Sequence, residues 1–374
     1  MAMPLSAVRI ALVLGLVSGL ARADDAPAGE RQHPPYVLSR LNKEGLPSLL
    51  ADVKTADDWQ AKCDAIRRVW MSYVGELPPR PPAKYRVLAE TEMEDHVRQK
   101  IVYDTVYNDR ITAYLLIPNQ AKGGGRTHPA VLALHPTNAE GKDSVATPEG
   151  RKNRTYGYEL VRRGYVVLAP DAMTSGERIF EGLAHFRDAP FYRRHPNWST
   201  VGKNLVDHMQ GVDLLADHPL VDPQRIGAIG HSFGAYNAYF LAGADPRIRA
   251  YVSSCGFSPF TGSTDARHWG IRDWYTHLPK VQKDLDQDRV PFEFHEIVAL
   301  TAPIPAFFYA GQRDHIFPHW KSIGEGMAQV HDLYAFLKAE ERFTSMIGAG
   351  GHDFPPPVRN MAYDFLDQWL KGKN

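Results

Sequence analysis

From Tyr85 onward the apolar positions fall into short segments of period two, and then into longer alternating units. Tyr85 to Ala89, Ile101 to Val106 and Thr112 to Ile117 are each bounded by polar, Pro or Gly residues, which predicts three antiparallel edge strands. A Gly-rich turn at Gly123 to Gly125 leads into PAVLALHP, a continuous apolar run of the kind that forms strands buried on both faces. Strand and helix then alternate. YELVRRG is helical, YVVLAP a strand, Val201 to Ala216 a helix, IGAIGHS a strand, FGAYNAYFLAG a helix and IRAYVSSCG a strand. IPAFFYAG, a helix from Ser322 to Lys338, FTSMIGAG and an amphipathic helix through Phe365, Trp369 and Leu370 complete the series. The pattern predicts an α/β protein with a mostly parallel, eight-stranded sheet and helices on both faces. Active sites of such sheets lie beyond the carboxyl ends of the strands.

Two intervals interrupt the rhythm, Ala172 to Thr200 and Phe257 to Thr301. Both follow strand ends and are too long for ordinary connections, so they are read as insertions roofing the site. Upstream, a helical period around Trp59, Ile66, Val69 and Trp70 ends at the Pro-rich stretch from Leu77 to Tyr85. Residues 24–83 are therefore expected to form a helical extension and linker, and residues 84–374 the main domain. No repeat or heptad run is present, which removes solenoids and coiled coils from consideration.

The first residues are laid out for targeting rather than folding. Arg9 precedes an apolar stretch from Ile10 to Leu20, and Ala21-Arg22-Ala23 has the small-x-small pattern cut by signal peptidase. The expectation is a signal peptide over residues 1–23 and a secreted or periplasmic protein; a membrane anchor or a buried helix is the competing reading. Later windows fall short of the apolar length of a transmembrane helix, so no membrane partner is expected. Lys plus Arg and Asp plus Glu are 43 each, which gives no electrostatic case for nucleic acid. An exported location permits a Cys63–Cys255 disulfide, but two buried thiols are the commoner outcome for residues in a helix and a core strand.

The strongest chemical signal is Gly230-His231-Ser232-Phe233-Gly234, set between an apolar strand and a helix. A turn from strand to helix that tight requires glycines, and it lifts the serine hydroxyl to the positive end of the helix. Serine is a weak nucleophile at neutral pH and needs a base, which in turn needs an orienting acid. Asp314 follows the strand IPAFFYAG, and His352 follows FTSMIGAG, giving the order serine, acid, histidine. Asp171, at the end of YVVLAPD, is the rival acid, and Asp353 lies too close to His352 in sequence to serve. His315 and His319 are read as structural or substrate-facing.

An oxyanion needs two backbone donors. Phe233 N–H is one; for the other, Pro136 has no N–H to give, so Thr137 is the best donor, with a neighbour in Asn138 to Glu140 as the alternative, while His135 has a plainer reading in holding the loop. His135, His231, Trp198, Trp269 and Trp274 are the substrate-binding candidates, with roof packing as the plainer alternative for each tryptophan. No Cys/His cluster has zinc spacing, since Pro318 interrupts HIFPH, so neither metal nor organic cofactor is expected.

These residues resemble the α/β-hydrolase superfamily, and more narrowly its acetyl-xylan-esterase-like and dienelactone-hydrolase-like branch. The likeness runs from about Trp70 to the C-terminus through WMSYVGELP, PAVLALHP, GYVVLAPDAMTSGER, GHSFGAY and FHEIVALTAPIPAFFYAGQRDHIFP. Ala302-Pro303-Ile304-Pro305 departs from the Ala-Pro-Arg-Pro common in that branch, and the His-Pro pair departs from His-Gly. A serine in place of the cysteine of dienelactone hydrolases implies an esterase. The resemblance thus implies hydrolysis of small-molecule or carbohydrate carboxylic esters, often acetyl esters, through an acyl-enzyme. A serine peptidase of the prolyl-oligopeptidase type is the alternative; the ~60 mature residues before the sheet are too few for the propeller such enzymes carry.

Overall fold

The computed structural model describes residues 35–123 and 128–372; the expected signal segment lies outside them, as does most of the Gly-rich turn. The first long helix, α1 (Ala56–Val74), begins at a capping box in which Asp58 N–H donates to Thr55 and Thr55 N–H to Asp58. It buries Trp59, Cys63, Ile66, Trp70 and Tyr73 along one stripe and stops at Gly75. Trp70 lies 4.9 Å from the Phe240 ring and 5.2 Å from Phe292, which seats the helix between the sheet's helical layer and the second insertion.

Nine strands rather than eight form the main sheet. They are β1 (Tyr85–Glu92), β2 (His96–Thr105), β3 (Asp109–Pro118), β4 (His128–Leu134), β5 (Val166–Pro170), β6 (Val221–His231), β7 (Ile248–Ser254), β8 (Ala306–Gly311) and β9 (Phe343–Gly348). Their order is β9-β8-β7-β6-β4-β5-β3-β2-β1. The six strands from β9 to β5 are parallel, and β3, β2 and β1 extend the sheet antiparallel. β1 and β2 pair with a bulge between Val87 and Ala89. Helices α2 (Tyr156–Arg162), α3 (Thr200–Asp217), α4 (Phe233–Ala244), α5 (Trp320–Phe336) and α6 (Pro356–Leu370) connect and cover the parallel part. Ala130 to Ala133 and Val166 to Ala169 are wholly buried, as strands covered on both faces must be.

A second, two-residue ladder pairs Tyr36–Val37 with Arg289–Val290 of the second insertion. Tyr36 Oη also donates to Glu296 at 2.7 Å, and His295 Nε2–H to the Pro47 carbonyl at 2.8 Å, so the upstream segment is sewn to the roof. Cys63 and Cys255 are separate buried thiols.

Candidate active site

Ser232 stands between β6 and α4 with φ 55° and ψ −119°, a conformation that L-residues hold only when their surroundings enforce it. The enforcement is visible in its neighbours. A Cβ on Gly230 would lie 2.1 Å from the Gly234 carbonyl carbon, and one on Gly234 would lie 1.9 Å from the Leu134 carbonyl oxygen. Ser232 N–H donates to the Ser254 carbonyl at 2.8 Å, while Ala235 and Tyr236 N–H close onto the Ser232 carbonyl. Phe233 N–H, in the first turn of α4, has no intrahelical acceptor and stays free for a ligand oxygen.

The loops after β8 and β9 meet beside it. His352 Nδ1–H donates to Asp314 Oδ2 at 2.7 Å, and the other Asp314 oxygen accepts Ile316 and Phe317 N–H at 2.8 and 3.0 Å. Burial opposes the charge on Asp314, but the His352 hydrogen bond and charge and the two amides outweigh it and hold the carboxyl below its usual range. In the neutral ring the same bond places the proton on Nδ1, which makes Nε2 the lone-pair nitrogen. The His352 ring is 4.8 Å from that of His231, the residue preceding Ser232.

Two residues that the sequence did not assign to the site lie against this pair. Arg154 donates to Asp353 at 2.7 Å and to the His352 carbonyl at 3.1 Å, which anchors the histidine loop from the far side. The Sγ of Cys255, at the end of β7, lies within 4.8 Å of ligand atoms of both Asp314 and His352. Those three are the one group of metal-ligand type found among the described residues. Burial first, and the Asp314 charge second, push the Cys255 thiol up to about 12, so it remains protonated. Nothing in a KNRT or SSCG stretch advertises either role.

The other candidates are distributed differently. Asp171 is occupied by Lys142, Thr112 and the Glu177 amide and does not reach His352. Asp353 points to Asn153 and Arg154. Thr137 follows β4 by three residues and is half-buried. His135 is buried; its Nε2 accepts Ala172 N–H at 3.0 Å and its Nδ1–H donates to the Pro136 carbonyl at 2.7 Å, so it braces the loop and has no atom left for substrate. His231 is buried against Ser254 and Phe354, and burial above all keeps it neutral. Trp198 packs against Tyr107 and Phe191, and Trp269 stacks at 3.9 Å on Phe294 with its N–H on the Ser258 carbonyl. These four are corrected from substrate contacts to packing, because each is buried with its contacts on neighbouring protein groups. Trp274 is partly exposed and, with His185, Phe186 and Arg187, lines an open cavity of about 370 Å³ between the two insertions. Phe186, missed in the sequence, lays its edge on Phe233 at 5.0 Å and so connects the roof with the nucleophile turn. His319 bonds Ser258 at 3.1 Å, whereas exposed His315 lies 6.1 Å from the His352 ring.

Comparison with known proteins gives the same fold. Residues 155–325 match the prolyl oligopeptidase family profile, a span that includes Ser232 and Asp314 and stops before His352. YtaP of Bacillus subtilis, named only as a hydrolase, is 26% identical over 318 residues, covering 81% of this chain and 98% of its own. The α/β hydrolase psoB of Aspergillus fumigatus is 34% identical over 174 residues, 42% of this chain and 35% of its own. Among solved structures, a glucuronoyl esterase from Solibacter usitatus superposes with a TM-score of 0.65 at 19% identity, over 91% of this chain and 100% of that one. A promiscuous esterase from a marine bacterial metagenome gives 0.66 at 15%, over 91% and 98%. Sheet and elbow, with these likenesses, define the class: the chain has the α/β-hydrolase fold, as its sequence resemblance implied. The partial match to a serine hydrolase family and the hydrolase relatives support an enzyme of hydrolysis.

Proposed function

We propose that the protein is a serine carboxylic ester hydrolase with Ser232 as nucleophile, His352 as general base and Asp314 as the orienting acid. The observation that carries this reading is the 2.7 Å bond from His352 to Asp314 on loops converging beside a serine held at φ 55°. Ser232 Oγ attacks the ester carbonyl while His352 Nε2 takes its proton, and the imidazolium is stabilised by Asp314. Phe233 and Thr137 N–H hold the oxyanion. The alcohol leaves with the proton from His352, and water, activated by the same nitrogen, releases the acid. Esterase neighbours support ester substrates over other acyl compounds, and acetylated carbohydrate is the natural first class to try. Export by the N-terminal signal belongs to the same proposal and rests on residues 1–23 alone.

The profile match over residues 155–325 favours one second reading, a serine peptidase of the prolyl-oligopeptidase type. One panel separates the two: p-nitrophenyl acetate, butyrate and octanoate, acetylated xylan and a dipeptidyl anilide, each with wild type and Ser232→Ala. Ester cleavage that vanishes in the variant supports the esterase. Anilide cleavage faster than any ester supports the peptidase, and no cleavage by folded wild type defeats both.

A further inference from the structure

The second insertion carries a half-buried cation, Arg272, that makes no ion pair among the described residues. Arg272 donates Nη1–H to His268 Nδ1 at 3.2 Å, Nη2–H to His277 Nδ1 at 3.3 Å and Nε–H to the Tyr275 carbonyl at 3.4 Å. Its guanidinium also lies 4.2 Å over the Trp274 ring. Among the described residues no carboxylate comes within 4.0 Å of it; Asp265 and Asp188 act on it only from farther away. Partial burial therefore makes the charge costly, and only distant carboxylates and the Trp274 ring offset it.

The surrounding groups make the imbalance larger. Because both histidines accept from Arg272 at Nδ1, each must carry its proton on Nε2. His277 Nε2–H donates to Tyr236 Oη at 2.6 Å, one turn of α4 beyond Ser232. His268 Nε2–H is a buried donor without a partner, and its ring is 5.1 Å from Phe317, which is itself 5.8 Å from His352. A guanidinium has five N–H groups, and three are committed. One N–H on each terminal nitrogen remains, two donors of the kind that a carboxylate accepts with its two oxygens.

Resting on the ester-hydrolase reading, we propose that Arg272 is the recognition point for a free carboxylate on the substrate. The enzyme then prefers esters whose acyl or alcohol part bears a second, unesterified acid group, and Trp274 walls the guanidinium plane.

Two substrate pairs locate that acid: mono-p-nitrophenyl succinate against p-nitrophenyl butyrate for the acyl side, and 4-acetoxybenzoate against 4-methylphenyl acetate for the alcohol side. In the wild type, kcat/KM for the anionic member of one pair exceeds that of its neutral partner by about tenfold or more, the range of one charge-assisted contact. Arg272→Gln removes this preference and leaves the neutral esters within about threefold. Equal ratios in wild type and Arg272→Gln for both pairs overturn the inference while ester hydrolysis stands; failure of every ester overturns the function and this inference together. Should the variant not fold, competitive inhibition of the wild type by succinate against succinamide decides, and equal inhibition counts against the proposal.

Discussion

Gly311 and Gly351 are in backbone contact: a Cβ on Gly311 would lie 2.4 Å from the Gly351 carbonyl oxygen and 2.7 Å from that of Gly350. The acid loop and the histidine loop thus register against each other through main chain, with Arg313 N–H on the Gly350 carbonyl at 2.9 Å. A single methyl at position 311 cannot be absorbed by a flexible side chain. Gly311→Ala is expected to push the His352 loop away and lower kcat about 10- to 100-fold, with a stability loss of about 1–3 kcal/mol. Steady-state kinetics and thermal melts check this; a variant with wild-type kcat refutes the steric coupling.

Asp314→Asn keeps an oxygen for the Ile316 and Phe317 amides but can turn a donor towards His352. The wrong tautomer follows, and kcat is expected to fall by about three to four orders of magnitude with KM little altered. The pH dependence of stability carries a second signature. Asp314 has a folded pKa below its unfolded value, so its contribution is present above the unfolded value and lost as pH falls through the folded one. The stability gap between wild type and Asp314→Asn should therefore be constant near neutrality and shrink below about pH 4. Urea titrations across that range would show it, and a gap that widens in acid would contradict the assignment.

Glu293 has the opposite sign. Its carboxyl is wholly buried in the roof, and burial raises it to about 7 although Thr261, Phe260 and Phe294 donate to it. Its contribution is full below the unfolded value and is lost as pH rises through about 7. Relative to Glu293→Gln, wild type should lose on the order of 3 kcal/mol between pH 4.5 and 7.5. Stability curves of the two proteins that run parallel across that interval would exclude the effect.

Arg154 acts on His352 through its backbone, so its removal should cost rate before affinity. Arg154→Ala is expected to lower kcat about tenfold or more with KM within about twofold, since small misplacements of a base are expensive. An equal change in both parameters would point to a general loss of structure instead.

Trp198→Phe tests the correction made to that residue. Packing against Phe191 and Tyr107 predicts an unchanged KM for every substrate and a stability loss of about 1–2 kcal/mol. A rise in KM confined to sugar esters would restore the binding role first read from the sequence.

The parallel strands were legible because burial on both faces writes continuous apolar runs, as in PAVLALHP, and GHSFGAY was legible because its glycines answer a steric demand local to the chain. What escaped was nonlocal. The ladder of Tyr36–Val37 with Arg289–Val290 has two residues a side and no period to detect. Strand β2 begins at His96, five residues before the expected Ile101, because Arg98, Gln99 and Lys100 interrupt the apolar pattern while their backbone still pairs with both neighbours. The histidines and tryptophans around the site are chemically eligible as ligands, and only burial sorts His135 or Trp269 from Trp274. Arg154 and Arg272 owe their positions to partners distant in sequence or folded back within an irregular loop.

The outermost strand, β1, is exposed along all eight residues and carries Val87 and Leu88 on its surface. A regular rim of that kind is a template for further strands. Its pairing with β2 skips Leu88, so the ladder direction is bent at mid-length, between the charges of Arg86 and Glu90. The irregularity is therefore a guard on colloidal behaviour: it keeps an open-ended sheet from growing by recruiting other molecules, and it does so at the border far from the strands β6, β8 and β9 whose loops carry the candidate site.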